Sequence, residues 1–338
     1  MTWTDLADKS LREGSISREE ALSVLNSTDA ELLEVLAAAF RVRSHFHGNK
    51  VRVHVLQNAK SGVCPEDCSF CSQAAQYHSP VPQYGIQTVE ELVEGARKAH
   101  EMGAVTYCMV TSTRGPSAKE VERICEATRI IKSETPLKVC ASLGLLLGDQ
   151  ASTLRSAGVD RYNHNLETSE EFYPSVCTSH TFQDRLNTIR SAKAAGMEAC
   201  AGGIVGMGET PEDRVELALS LRELEVESVP VNFLNARPNT PFEKVPQLSP
   251  TDCLRSLAMF RFTNPSADVR AAGGREICLS HLQPFALYPA NSIFTNGYLT
   301  TPGQEPSADW EMIVQAGFVP VVAGAEGAPA EQEKLLID

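Results

Sequence analysis

The feature that most narrows the fold of this chain is a change of texture repeated along most of its length. Short runs rich in strand-forming residues begin with VRVHVLQNA (51–59), VTYCMVTS (105–112), LKVCASLG (137–144) and VDRYNHNLET (159–168). They continue with EACAGGIVGMGE (198–209), SVPVNFLNA (228–236), ADVRAAGG (267–274) and ANSIFTNGY (290–298). Amphipathic stretches separate them, and many carry helix punctuation. Thr88 with Glu91 and Ser117 with Glu120 have capping-box spacing. Thr210-Pro211 and Ser249-Pro250 each set a cap before a proline at the first helical position. Gly103, Gly158 and Gly196 fall where helices should end. Eight strands alternating with helices over roughly 250 residues fit an α/β fold of the (β/α)8 TIM type, with a doubly wound sheet as the runner-up.

No low-complexity linker interrupts residues 46–318, so they read as one barrel domain. Ser17–Glu20 and Thr28–Glu31 are expected to cap two helices of an N-terminal helical extension, residues 1–45, placed to plug one end of the barrel. Residues 319–338, rich in Ala, Gly and Glu towards their end, read as a flexible C-terminal tail. The net charge of −13, with no basic run, argues against a nucleic-acid partner. Met1–Lys9 is polar, and no apolar run approaches the ~18–20 residues of a membrane span, so the expected compartment is the cytoplasm. Ten cysteines in such a chain call for a metal or redox explanation before a disulfide one.

Several strands carry a residue that a plain barrel core does not need. The second, third and fifth runs hold Cys108, Cys140 and Cys200; the fourth holds Asn163 and Asn165, the sixth Asn232 and the seventh Arg270. Side chains alternate along a strand, so these groups can converge in the barrel interior, where buried polar atoms must find partners. A lone buried cysteine is usually a small hydrophobe. Three at strand interiors, with an in-strand arginine, read instead as a site. The bland reading of Arg270 is an ion pair with Glu209 or Glu276. Cys125, Cys177, Cys253 and Cys278 are read as structural.

Directly after the first strand stands CPEDCSFCSQ (64–73), which places Cys64, Cys68 and Cys71 at the C-terminal mouth where barrel active-site loops gather. The spacing C-x3-C-x2-C differs from the four-cysteine ferredoxin run and from paired zinc-ribbon cysteines. A structural zinc completed by His54 or His78 is one alternative; a metal centre with one position left open for a substrate or cofactor is the other. The motif, with the aromatic Phe70 before its last cysteine, resembles the radical S-adenosylmethionine superfamily. YNHNLET, GGIVGMGET, ANSIFTNGYLTT and the Cys108/Cys140/Cys200/Arg270 set resemble its branch that inserts sulfur into dethiobiotin, over residues 40–318.

That resemblance implies a cofactor set and a reaction. Cys64, Cys68 and Cys71 would hold a [4Fe-4S] cluster whose fourth iron binds S-adenosyl-L-methionine. Cys108, Cys140, Cys200 and Arg270 would hold a [2Fe-2S] cluster that donates sulfur. An adenosyl radical would open two saturated carbons in turn, chemistry no side-chain base can perform. Asn163, Asn165 and Asn232 would hydrogen-bond the ureido ring, Ile204 and Phe70 would lie at the cofactor, and the GGIVGMGE glycines would let backbone approach it. Glu167 would hold the ribose where the branch usually has Asp. Ser72, where some members have Pro, and CMVTSTRGPS (108–117) depart from one form of the branch without removing a ligand. A homodimer and a flavodoxin or ferredoxin electron donor are implied as partners. The rival readings are a sister lyase or mutase, which would not need the second set, and a non-enzymatic electron carrier or zinc-stabilised barrel.

Overall fold

A computed structural model of the chain describes residues 2–324. Ten strands form one parallel sheet: β1 Lys50–Lys60, β2 Thr106–Thr111, β3 Lys138–Ser142, β4 Arg161–Asn163, β5 Glu198–Cys200, β6 Gly203–Val205, β7 Ser228–Phe233, β8 Asp268–Ala271, β9 Ser292–Phe294 and β10 Val319–Val321. β9 pairs with β1 through Arg52–Ser292, Val53–Ile293 and His54–Phe294, which closes the sheet into a barrel. The expected fifth strand is split: β5 pairs with β4 and β7, while β6 continues beside β7 after a break at Ala201 and Gly202. Eight staves therefore carry nine segments, and β10 adds an outer partner to β1.

The helix signals act where they stand. Thr88, Ser117 and Thr210 each form a full capping box, and Ser249 caps the helix Pro250–Thr263. Gly103, Gly158 and Gly196 follow helices in left-handed conformations, with φ of 76°, 104° and 84°. Three N-terminal helices are present rather than two: Trp3–Glu13, Arg18–Leu25 and Leu32–His47. Thr28–Glu31 hydrogen-bonds as a capping pair would, yet it forms a turn one residue ahead of the third helix. These helices flank the barrel more than they plug it. They pack on the outer helices Pro250–Thr263 and Pro211–Glu223, and the third brings Arg43 to the backbone of Ala290 and Lys50 and His47 to the cavity at the strands' N-terminal ends. Val319–Val321 belongs to the sheet as β10, not to a tail; residues 325–338 lie outside the described residues.

The apolar core is a ring between strands and helices. Tyr107, Met109, Val139 and Ala141 pack outward against the helices Val89–Glu101 and Ala118–Glu134, and Ala199, Val269 and Ala271 belong to the ring on the other side. Cys108, Cys140 and Cys200 are buried but join neither apolar cluster. Alternation along the strand then turns their thiols to the barrel interior.

Candidate active site

The interior set is placed by strand register. Cys108 pairs laterally with Cys140, Asn163 with Cys200, and Cys200 with Ser228. Arg270, on β8, aims Nη1 at Cys200 Sγ, 3.8 Å away. Its remaining N–H groups bond Asp268, Ser228, Ser292 and His54 at 3.0–3.2 Å. The acid partner of Arg270 is therefore Asp268, two residues earlier on the same strand, and neither of the expected ones. Glu209 instead holds the Gly206 and Met207 amides and Arg214, while Glu276 lies beside Arg275.

Burial disfavours the Asp268 carboxylate, but Arg270, with His54 and Arg161 nearby, holds its pKa well below the usual range. His54 is kept neutral by burial and by the charge of Arg270. Its Nε2 accepts from Arg270, which assigns the proton to Nδ1. The thiol of Cys140 is pushed up by its contact with Cys108 and by burial; that of Cys200 is raised by burial and opposed by Arg270. These thiols ionise only against strong compensation, which a bound iron centre provides. A three-thiol, one-guanidinium wall fits an anionic cluster, because the guanidinium already lies beside the Cys200 sulfur.

One alternation step further along the strands, Val110 and Ser142 line a cavity of about 280 Å³ at the barrel mouth. Cys64, Cys68 and Cys71, with Phe70, Asn163, Asn165, Glu167, Ile204 and Asn232, line it too. The cysteine loop is tied down by Cys64 N–H to Gln73 O at 3.0 Å, Ala75 N–H to Cys64 O at 2.9 Å and Cys71 N–H to Cys68 O at 2.9 Å. Burial lifts the Cys71 thiol to about 11. Neither His54 nor His78 lines this cavity, which removes the expected zinc alternative. Three thiols on one wall with an open space in front match a cluster that leaves a coordination position to a small molecule.

The polar residues of the cavity are partly committed. Asn232 donates to Gly203 O at 3.0 Å and accepts from Gly273 N–H at 2.9 Å, leaving one N–H and one lone pair for a ligand. Asn165 accepts from Gly202 N–H at 3.2 Å and points Nδ2 at Glu167, 3.4 Å away. Glu167 adopts φ +71°. Its carboxyl is raised by burial against the pull of Arg185, which lies 3.3 Å away. Phe70 and Ile204 pack against one apolar cluster. Ser72 reaches Thr300 at 3.0 Å.

The first two glycines of GGIVGMGE, Gly202 and Gly203, have a nearer cause than an approaching cofactor. A Cβ on Gly202 would stand 1.9 Å from Pro230 O, and one on Gly203 would stand 2.4 Å from Glu167 O. They let neighbouring backbones close the barrel at the split stave.

Some participants, or the places they take, escaped sequence reading; the sequence suggests His54 only as a zinc ligand and Cys177 only as a structural residue. Arg161, Asp268 and His54 surround Arg270 on the inner face. An in-strand arginine two places before Asn163, and an acid two places before Arg270, were the available signals. Cys177 and His180 also lie at the mouth. Cys177 Sγ is 3.8 Å from Cys68 Sγ, and its thiol is drawn down to about 4, first by the hydrogen bond from Cys68 and then, against burial, by those of His180 and Ser179. No local pattern announces that contact across more than a hundred residues.

Comparison with known proteins agrees with this geometry. Residues 59–221 match the Radical SAM superfamily model, and residues 230–319 match the Biotin and Thiamin Synthesis associated domain. The fold is similar to that of methylornithine synthase (TM-score 0.82, 20% identity, 94% of this chain and 97% of that one). It is also similar to that of the hydrogenase maturase HydG from Carboxydothermus hydrogenoformans (TM-score 0.79, 18% identity, 94% and 79%). Fold and cysteine motif thus define a radical S-adenosylmethionine enzyme, a class that carries a [4Fe-4S] cluster.

The chain is 57% identical to biotin synthase of Salinibacter ruber, over 99% of this chain and 93% of the relative, and 48% identical to that of Bacillus subtilis, over 94% of each. It belongs to the biotin synthase family.

Proposed function

We infer that the chain converts dethiobiotin to biotin by radical insertion of one sulfur atom, with Cys64, Cys68 and Cys71 holding the [4Fe-4S] cluster and Cys108, Cys140, Cys200 and Arg270 holding a [2Fe-2S] cluster. The observation that carries this reading is two stacked donor sets in one barrel, three thiols at the mouth and three thiols with a guanidinium a layer below the cavity. A sister lyase or mutase has no use for the lower set. When bound, the upper cluster and S-adenosylmethionine supply the hydrogen-abstracting radical, and the lower cluster supplies the sulfur.

The chain's own residues position and shield. Asn163 stands in register with Cys200 on the neighbouring strand, so an amide reaching up from this level meets a substrate close above the lower thiols. The free N–H and lone pair of Asn232 complement a neutral urea, which offers both acceptor and donors. Glu167, with Arg185 on Oε1 and Asn165 on Oε2, keeps further lone pairs on both oxygens for ribose hydroxyls. Phe70 and Ile204 supply an apolar surface for the adenine. The closed strand ring keeps water and stray hydrogen donors from the space between the two sets. Arg270, held by Asp268, would set Nη1 beside the lower cluster and, as a guanidinium without a lone pair, would hold it only weakly, which suits a cluster that must give up sulfur.

We place a homodimer, a flavodoxin or ferredoxin as electron source and a cytoplasmic location in the same reading, on family likeness; no helix among the described residues is long and apolar enough to cross a membrane. The test is anaerobic reconstitution with iron and sulfide. Dethiobiotin, S-adenosylmethionine and a reductant then follow, with biotin measured by mass spectrometry. S-adenosylmethionine cleavage without biotin from a fully reconstituted chain would overturn the sulfur-insertion reading.

A further inference from the structure

The interior of the cysteine motif, Pro65-Glu66-Asp67, is not used by the proposed reaction, yet it binds a second loop tightly. Asp67 accepts the backbone N–H groups of Thr178 and Ser179, both at 3.0 Å, together with the Thr178 hydroxyl. Glu66 accepts from Ser179 and is hydrogen-bonded to His180 Nδ1. These bonds bring Cys177 and His180, both buried, against Cys68. Cys177 Sγ stands 3.8 Å from Cys68 Sγ and 3.9 Å from His180 Nε2. Among the described residues this trio is the one group whose ligand atoms all lie within 4.8 Å of each other. Cys64 and Cys71 are not part of it.

These two separations are close to two edges of a tetrahedron around one small ion, and the third pair lies within 4.8 Å; Nδ1 of His180 is nearer to Cys177 Sγ, at 3.3 Å, but is taken by Glu66. With Zn–S near 2.3 Å, a tetrahedral site has an S···S edge of ~3.8 Å, and with Zn–N near 2.05 Å an S···N edge of ~3.6 Å. The carboxylate of Glu66 on Nδ1 is the arrangement that turns the other nitrogen of a histidine towards a metal. We propose that Cys68, Cys177 and His180 form a site for a single Zn²⁺-type divalent ion in the cluster-free protein, and that its occupation excludes the [4Fe-4S] cluster because both need Cys68. The bound ion is balanced by two thiolates, any proton still held on a thiol passes to solvent, and no oxidant or reductant takes part. Zinc holds such a site more tightly than ferrous iron does, so it acts as a block on cluster assembly rather than a first step of it. The exclusion rests on the reading of Cys68 as a cluster ligand; the zinc site does not.

The experiment uses the full chain, stripped of clusters anaerobically and titrated with Co²⁺ as the probe. We expect a single Co²⁺ per chain, with the intense visible bands of a tetrahedral thiolate site, displaced by Zn²⁺. In Cys177→Ser the bands should fade and zinc affinity should fall more than tenfold; His180→Gln serves as a second variant, and circular dichroism checks that each folds. Glu66→Gln should weaken zinc about tenfold, as outer partners of metal-bound histidines do. With equimolar Zn²⁺ present, cluster assembly should be suppressed in the natural chain and restored in Cys177→Ser. An unchanged Co²⁺ spectrum in both Cys177→Ser and His180→Gln overturns the site. Cys64→Ala separates the two readings: it should lose the [4Fe-4S] cluster, told from the lower [2Fe-2S] one by iron content and Mössbauer spectroscopy, while zinc binding stays intact. Assembly of the [4Fe-4S] cluster that survives in Cys64→Ala would sink the ligand assignment and leave the zinc site standing.

Discussion

The two thiol sets of this barrel are built by opposite means. Cys64, Cys68 and Cys71 sit on one short loop, three donors from eight consecutive residues, held by local hydrogen bonds and by a second loop around residue 177. Cys108, Cys140, Cys200 and Arg270 come from four strands, and nothing local holds them together; the lateral register of the sheet does. A loop can wrap a centre and leave one side open to a passing cofactor. A strand ring encloses its centre on all sides and fixes it to the cavity above. Accessibility follows the element that carries the donors, which suits the proposed radical source at the rim and the proposed sulfur store beneath.

Breaking the upper set should have the largest effect. Cys68→Ala is expected to abolish S-adenosylmethionine cleavage, and with it everything downstream; cleavage is read as 5′-deoxyadenosine by chromatography. Cys140→Ala sharpens the contrast, because cleavage should remain measurable while biotin formation is lost. Biotin at normal yield from that variant would remove the lower set from the reaction.

Smaller changes probe how each set is held. Asp268→Asn leaves Arg270, a buried cation, without its counter-ion and should destabilise the chain by about 3–5 kcal/mol, read by denaturant unfolding of the cluster-free protein. Gly203→Ala pushes a methyl against Glu167 O; a loss of ~1–3 kcal/mol in the same assay is expected for overpacking at the split stave. Asn232→Ala should weaken dethiobiotin binding by ~1–3 kcal/mol, with both clusters still assembling. Unchanged affinity would assign Asn232 to tying Gly203 and Gly273 alone.

The upper set was the more legible of the two in the sequence. C-x3-C-x2-C is contiguous, and it follows a strand, so its position at the mouth came from chain order. The lower set was visible only as oddities at unit spacing, and the partners of its most unusual member were misjudged. Asp268, not Glu209 or Glu276, meets Arg270, because residues two apart on a strand share a face while Glu209 is consumed by its own turn. The glycines of residues 202–203 were readable as close approach, but which backbone approaches depends on the break between β5 and β6. The N-terminal helices were foreseen in kind and misplaced in space. Their apolar faces specify burial against something, and only the packed chain shows that the partners are outer helices.

What the amino-acid order determined by itself was local: the caps, the strand and helix alternation, the three-thiol loop and the inward or outward parity of each strand residue. These depend on neighbours a few positions away, and short-range sterics and hydrogen bonding decide them. The tertiary structure decided the rest. Closure through β1 and β9 chose which inward side chains face each other, and the docking of residues 177–180 on the cysteine loop brought Cys177 and His180 to Cys68. Contacts of that range are set by how all the packed faces fit at once, which no short stretch of sequence encodes.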